Sequence, residues 1–479
     1  MSETKTSLKT FLEIPYDELE RMNLEAKEKR DTVDPREQEK MYRAYLEKEK
    51  RLKAVTLCFT DIEGRFHMLD YDKKYFLGSA ENLTFDGSSI RGFTAQSESD
   101  LRLGVDWTSI LWLPADIFGS GKVIMFANIM NRERGQYESD FRGLLQEYTK
   151  TLKAQQGYTA YAAAEIEGFL FDGVDAEQMY DERRSFQFIS TGGYYHSLPL
   201  DRLRQFIDSA AEAQRAMGFQ NEKDHPEVAP SQFEMNFSYV EALRACDQIQ
   251  LYKLVCRQVA ANMGMTASFL PKPMTGVNGN GMHTNFSLGK DGKNAFYQKD
   301  GKEGLSPLAW DFISRLLNHA PEICLALNSS VNAYRRLDPH FEAPNQIKVS
   351  PIDRGSMIRI PVGNEKTARI EVRSVAPDAN PYLVLYTIIR TGIEGKKLSR
   401  DNSKRERVRF LPGTIHEAIK NFKRSPFIGK ILGERNKEKY LAFKQSAADR
   451  SPKELGTRVK NSEIIFHHEV TNQILWNSH

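Results

Sequence analysis

Apolar and polar residues alternate most plainly over residues 163–171, Ala-Ala-Glu-Ile-Glu-Gly-Phe-Leu-Phe. A strand turns successive side chains to opposite faces, so Glu165 and Glu167 share one face and Ile166 takes the other. Four later stretches repeat that logic. Over 232–239 the polar face carries Gln232, Glu234, Asn236 and Ser238 against Phe233, Met235 and Phe237. Over 282–288 it carries His283, Asn285 and Ser287. Over 369–375 Arg369, Glu371 and Arg373 oppose Ile370 and Val372, and over 357–361 Arg359 stands alone among apolar neighbours. Helical spacing predicts helices over 138–155, 201–217 and 240–263.

The texture divides the chain in three. Residues 1–50 are strongly charged, and Asp34-Pro35-Arg36-Glu37 offers an N-cap, a first-turn proline and a capping-box glutamate. Met41, Tyr45 and Leu46 follow at helical spacing, so we read 1–50 as a charged helical extension packed on the body or on a neighbouring subunit. From Arg51 short β segments take over. Residues 55–60 and 65–69 flank Asp61-Ile62-Glu63-Gly64 as a hairpin, 123–129 is another strand, and 51–135 reads as a small β domain. The alternating helices and strands of 136–479 form a larger α+β domain, with 396–409 as an exposed charged loop.

The chain has 479 residues, 40% hydrophobic and 27% charged, the balance of a soluble protein too long for one ordinary domain. A net charge of +3, spread along the sequence, gives no reason to expect nucleic acid or membrane as partner. Cys58, Cys246, Cys256 and Cys324 are scattered without a C-x-x-C pair and read as reduced, buried thiols. No apolar run approaches the ~20 residues of a membrane span, and the N-terminus lacks the apolar core of a secretion signal. A cytoplasmic location is expected.

One Glu-x-Glu would more often be a solvated strand edge. Five polar-faced strands instead suggest a lined cavity holding Glu165, Glu167, Glu227, Glu234, Glu371 and His283. So many carboxylates would repel one another strongly without cations. Oxygen-rich ligands with a single imidazole favour Mg²⁺ or Mn²⁺ over zinc, and six ligands suit two or more ions. An anionic substrate is implied by the glycine-rich turn Asn278-Gly279-Asn280-Gly281, by Arg354 and Arg359, and by Lys366, since guanidinium forks match phosphate and carboxylate oxygens. Asn332-Ala-Tyr-Arg-Arg336-Leu leads into His340-Phe-Glu342-Ala-Pro344, a candidate mobile loop carrying a carboxylate.

Phe85-Asp86-Gly87-Ser88-Ser89-Ile90, Glu165-x-Glu167, Glu227-Val-Ala-Pro-Ser-Gln-x-Glu234 and Asn278-Gly-x-Gly-Met-His283 occur in that order. Asn332-x-Tyr-x-Arg336-Leu, Phe341-Glu-Ala-Pro344, Arg369-Ile-Glu371-Val-Arg373 and Ala379-Asn-Pro-Tyr382 follow. Over roughly residues 51–395 the chain resembles glutamine synthetase, type I-like. The resemblance implies a β-grasp N-terminal domain, then a catalytic domain whose curved antiparallel sheet is lined by metal ligands and flanked by helices. It implies a homo-oligomer, usually a dodecamer of two stacked hexameric rings, with active sites between subunits.

By the same resemblance Glu167, Glu227 and Glu234 hold one ion, and Glu165, His283 and Glu371 a second. Asn278, Gly279, Arg336 and Arg373 bind L-glutamate. Arg354, Arg359 and Lys366 face the transferred phosphoryl group, with Asn285 and Ser287 at ATP. Asp86, from the adjacent subunit, forms the ammonium site with Ser89, Tyr194 and Glu227, and Glu342 is the flap carboxylate. The implied reaction phosphorylates the γ-carboxylate of glutamate from ATP and lets ammonia displace phosphate.

Asn285 stands where type I enzymes usually have a second histidine, so 283–287 looks more like the eukaryotic type. No tyrosine lies between Tyr386 and Tyr440, so regulation by adenylylation is not expected. The extension 1–50 is outside the usual pattern. The rival readings are a ligase joining glutamate to an organic amine such as a polyamine or ethanolamine, a non-catalytic relative, and a two-metal phosphatase or nuclease. Retention of Asp86 speaks against the first, the intact metal and arginine positions against the second, and the Asp86 motif with the arginine set against the third.

Overall fold

A computed structural model describes residues 13–96, 99–176, 186–274, 276–338, 343–398 and 408–449. Glu342 and most of the charged stretch 396–409 lie outside the described residues.

The predicted hairpin forms from β1 (Ala54–Thr60) and β2 (Phe66–Asp72), paired antiparallel. Its turn is closed by Asp61, whose Oδ1 accepts from the Glu63 and Arg65 amides at 2.9 and 3.0 Å. Gly64 sits at φ 89°, and a Cβ there would lie 2.6 Å from the Asn380 Cα, so the turn needs glycine twice over. With β3 (Thr84–Asp86), β4 (Asp100–Val105), β5 (Leu111–Trp112) and β6 (Lys122–Met130), the hairpin makes a six-stranded sheet in the order β2-β1-β6-β4-β3, with β5 on β6. The β1–β6 pair is parallel, the others antiparallel.

Two helices, Tyr16–Thr32 and Pro35–Lys48, pack on this sheet and share its apolar core through Leu19, Ala26, Tyr42 and Leu46. Asp34 does cap the second helix, accepting from the Arg36 amide at 2.9 Å. Its buried face differs from the expected Met41 and Tyr45, which are only partly covered: Tyr42 points inward, one turn from Gln38 and from Leu46. Buried Asn23 of the first helix donates to the Trp112 and Ala216 carbonyls at 3.0 and 2.8 Å and accepts from the Trp112 amide at 2.9 Å. The extension therefore packs on the body of its own chain.

The larger unit is built on a ten-stranded sheet. Its strands are β7 (Tyr158–Asp172), β8 (Asn221–Pro226), β9 (Gln232–Phe237), β10 (Val240–Glu241), β11 (Met265–Ser268), β12 (Met282–Lys290), β13 (Lys293–Asn294), β14 (Gln346–Ser350), β15 (Ser356–Arg359) and β16 (Ile370–Val372). The order is β14-β15-β16-β12-β7-β9-β8, with β10 and β11 on β7 and β13 on β12. All pairs but β14–β15 are antiparallel. The apolar face, with Ile166, Phe233, Met235, Met282 and Phe286, packs into one core with helices Ala242–Asn262, Pro307–Leu327 and Pro381–Glu394. The opposite face carries the acidic residues.

Three predicted boundaries shift for local reasons. The helix expected from 138 starts at Phe141 because Asp140 caps it, accepting from the Arg142 amide. The one expected from 240 starts at Ala242 because Val240 and Glu241 are a strand on β7. Strand 232–239 stops at Phe237. Arg142 joins the two units: fully buried, it donates to Asp106 Oδ2 at 2.7 Å and to both Asp247 oxygens at 2.9 Å. All four cysteines are buried and unpaired. Among the described residues, no helix is long and apolar enough to cross a membrane.

Candidate active site

Strand register assembles the site. β7 places Glu165 opposite His283 of β12 and Glu167 opposite Glu234 of β9. One strand outward, β16 sets Glu371 beside Asn285, β15 sets Arg359 beside Glu371, and β8 sets His225 beside Glu234. Period-two alternation then turns all these side chains to the same side. They line an open cavity of about 220 Å³. Its floor is Glu165, Glu167, Glu227, Glu234 and His283, and its cationic wall is Arg336, Arg354, Arg359, Arg369 and Arg373. Tyr194, Asn278 and Gly279 complete the rim.

Three groups place ligand atoms within 4.8 Å of one another: Glu165 with His283 and Glu371, Glu167 with Glu234 and His283, and His225 with Glu227 and Glu234. Oxygen donors with few imidazoles suit hard divalent ions, so the residues present fit Mg²⁺ or Mn²⁺. The grouping differs in one respect from that implied by the resemblance. Glu227 lies just past the end of β8, accepts from its neighbour's amide (Val228, 3.0 Å) and faces His225 Nδ1 at 3.7 Å.

The charges are held in place. Fully buried Glu371 accepts from Arg359 Nε at 2.5 Å and Arg373 Nη1 at 2.6 Å. Asn285 donates to Glu165 Oε1 at 2.9 Å and accepts from Arg369 Nε at 2.9 Å, so both ends of its amide orient this floor carboxylate. Asn236 donates to Glu234 at 2.8 Å, and the Gly281 amide donates to Glu167 at 2.5 Å. A Cβ on Gly281 would come within 2.7 Å of both the Arg336 guanidinium and the His283 ring, which accounts for the glycine. Arg336 spends two donors on the Val375 and Arg373 carbonyls.

Burial would raise Glu165, but His283, the Asn285 amide and Arg359 outweigh it and hold its pKa down to about 2. Burial together with Glu234 pushes Glu167 up, and burial with Glu167 and Glu234 pushes Glu227 to about 8. A carboxyl that keeps its proton near neutrality must give it up to solvent before it can bind a cation. Divalent-ion binding is therefore expected to release protons, with affinity rising as pH climbs toward about 8. The metal-free fold should correspondingly lose stability from Glu227 as pH rises from its unfolded value to about 8, because over that window the unfolded chain gives up a proton that the folded site still holds. Calorimetry of Mn²⁺ binding in buffers of different ionisation enthalpy measures the release; none at pH 7 would contradict this reading.

Several expected residues lie elsewhere. Asp86 and Ser89 belong to the small domain, outside the cavity wall, where Asp86 accepts from Ser88 and Ser89 and these bonds lower its pKa. Lys366 is exposed on a turn that Asn364 organises, also off the wall. Asn285 and Ser287 do not reach the wall either. Conversely, Lys223, His225 and Arg369 line the cavity although no motif assigns them a role. His225 was visible only as the neighbour of Pro226-Glu227, and Arg369 only as a member of a polar strand face.

Residues 51–132 match the family model described as "Glutamine synthetase, beta-Grasp domain", and residues 138–457 match "Glutamine synthetase, catalytic domain". The chain is 34% identical over 425 residues to a glutamine synthetase of Thermus thermophilus, covering 84% of this chain and 93% of that one. It is 36% identical over 421 residues to one of Methanosarcina mazei, covering 84% and 92%. In structure it is similar to a Plasmodium falciparum glutamine synthetase, with a TM-score of 0.75 at 21% identity over 85% of this chain and 95% of that chain.

Proposed function

The chain belongs to the glutamine synthetase family, and we propose that the cavity between its acidic sheet face and its arginine wall is where it makes glutamine. The enzyme is an ATP-dependent ligase that joins ammonia to the γ-carboxylate of L-glutamate. The observation that carries the site assignment is the gathering of Glu165, Glu167, Glu234 and His283 in one cavity opposite five arginines.

A carboxylate resists attack by ammonia because its oxygen is a poor leaving group. ATP supplies a phosphoryl group that turns this oxygen into phosphate, giving γ-glutamyl phosphate. Arg336 and Arg373, with Asn278 and Gly279, hold glutamate by its charged ends, since rigid guanidinium forks fix carboxylate orientation. Arg354 and Arg359 face the phosphoryl oxygens and offset the charge that spreads over them during transfer. Two or more Mg²⁺ or Mn²⁺ ions would be held by Glu165, His283 and Glu371 and by Glu167 and Glu234 with Glu227 from its group beside His225, and would supply further charge neutralisation when bound.

Ammonium must lose a proton before nitrogen can attack the acyl carbon, and Asp86 with Ser89, Tyr194 and Glu227 forms its site. Asp86 reaches it from a neighbouring subunit, which agrees with its exposed place away from its own chain's cavity. A dodecamer of two stacked hexamers would provide that neighbour, and the buried, unpaired thiols suit the cytoplasm. Asp86→Ala is expected to lower the efficiency of ammonia use about 10²-fold, within the range for loss of a general base, while the glutamate KM stays near wild type. An unchanged ammonia KM and kcat would remove Asp86 from the mechanism. Phosphate release measured with ammonia, then with polyamines or ethanolamine, tests the reaction itself: ammonia should support it and the amines should not.

A further inference from the structure

The N-terminal helix Tyr16–Thr32 closes a second, small cleft, of about 50 Å³, against the turn Trp107–Ser109 and the helix Ala242–Asn262. This cleft is well supplied with positive charge. Lys27 and Arg30 enter from the extension and Arg244 from the catalytic unit. Asp247, the carboxylate in its lining, is already satisfied: it accepts from Arg142 on both oxygens, from Tyr382 at 2.7 Å and from Arg244 at 3.1 Å. Asp106 behind it is likewise taken by Arg142, Arg244 and Thr108. Four cations, Lys27, Arg30, Arg142 and Arg244, thus meet two buried carboxylates.

The two cations of the extension are left without a buried counter-charge. Lys27 Nζ donates to the Gly218 carbonyl and lies 5.6 Å over the Phe219 ring. Arg30 Nε is shut off from solvent and makes no hydrogen bond; its ion-pair partner is Asp31, an exposed carboxylate 3.5 Å away. Burial and the Arg30 charge push the Lys27 ammonium down to about 8, as expected where positive charge lacks compensation. The rest of the lining offers neutral donors, the hydroxyls of Thr108 and Ser109 and the amide of Gln248. With Lys27 bonded to a carbonyl and Arg30 paired to an exposed carboxylate, these partly buried cations keep donors that an anion with several acceptor oxygens satisfies better.

We propose that this cleft is a binding site for a small oxyanion of the phosphate class, held by Lys27, Arg30 and Arg244, and that its occupancy fastens the N-terminal extension to the catalytic unit. The site is separate from the ligase cavity, with which it shares no lining residue.

Calorimetric titration of the full-length enzyme with sodium phosphate tests it. Wild type should show a class of phosphate sites that Arg30→Gln weakens at least tenfold, with turnover on glutamate, ammonia and ATP unchanged. Lys27→Met should weaken the same class by a second route, and carries the test if the arginine variant does not fold. Sodium sulfate should compete for this class, whereas sodium chloride at matched ionic strength should not. Isotherms unaltered by either substitution would overturn the proposal, and so would an equal response to chloride.

Discussion

Glu371→Ala is expected to reduce glutamine formation by about 10²–10³-fold or more, the usual consequence of removing one positioned electrostatic group from an active site. Its carboxylate is wholly buried and receives Arg359 and Arg373 at 2.5 and 2.6 Å, while His283 Nδ1 lies 3.7 Å away. The alanine variant leaves two guanidinium groups facing each other without their anion and deprives one metal cluster of an oxygen donor. Loss of a buried charge partner also costs about 3–5 kcal/mol, so a thermal melt must accompany the assay. Glu371→Gln separates the two effects. It keeps the size and an acceptor oxygen, so it should melt closer to wild type yet remain catalytically impaired. Near-normal turnover in either variant would remove Glu371 from the site.

Arg142→Ala should destabilise the protein more than any surface change, by about 3–5 kcal/mol, because it strands two buried carboxylates. Asp106 belongs to the turn after β4 and Asp247 to the helix Ala242–Asn262, so the arginine fixes the small domain to the catalytic one. Charge attraction overcomes burial to keep Asp106 far below the ordinary carboxylate range while Arg244 and Arg142 are present. Denaturant unfolding followed by both fluorescence and circular dichroism measures the loss. A midpoint within error of wild type would mean that Arg244 alone compensates both carboxylates.

What the sequence made legible was each strand's division into two faces, because alternation is a local property. Glu165 with Glu167, and Arg369 with Glu371 and Arg373, could be placed on common faces before any coordinates. Register was not legible. Nothing local says that His283 lies opposite Glu165 or that Asn285 links Glu165, 120 residues away, to Arg369, 84 residues away; those pairings depend on strands distant in sequence meeting in the core.

His225 escaped notice for a related reason. It lies on β8, whose run Asn-Glu-Lys-Asp-His-Pro has no apolar alternation and earns its strand geometry from pairing with β9. The helix Tyr16–Thr32 falls within the expected helical extension, but the face it buries was hidden. Its buried positions are Leu19, Asn23 and Ala26, at helical spacing but without an apolar stripe, since Asn23 is buried for its hydrogen bonds. The family motifs located the site from identity rather than periodicity. Glu342, which they place over the site, lies outside the described residues.

The central claim is that strands distant in sequence gather their carboxylates and His283 into one pocket that captures paired ions. Anomalous diffraction at the manganese edge, from crystals of the enzyme grown with Mn²⁺, tests this most directly. Two peaks per chain are predicted, one among Glu165, His283 and Glu371 and one beside Glu167 and Glu234. A cavity without manganese, or peaks confined to other surfaces, would contradict the account.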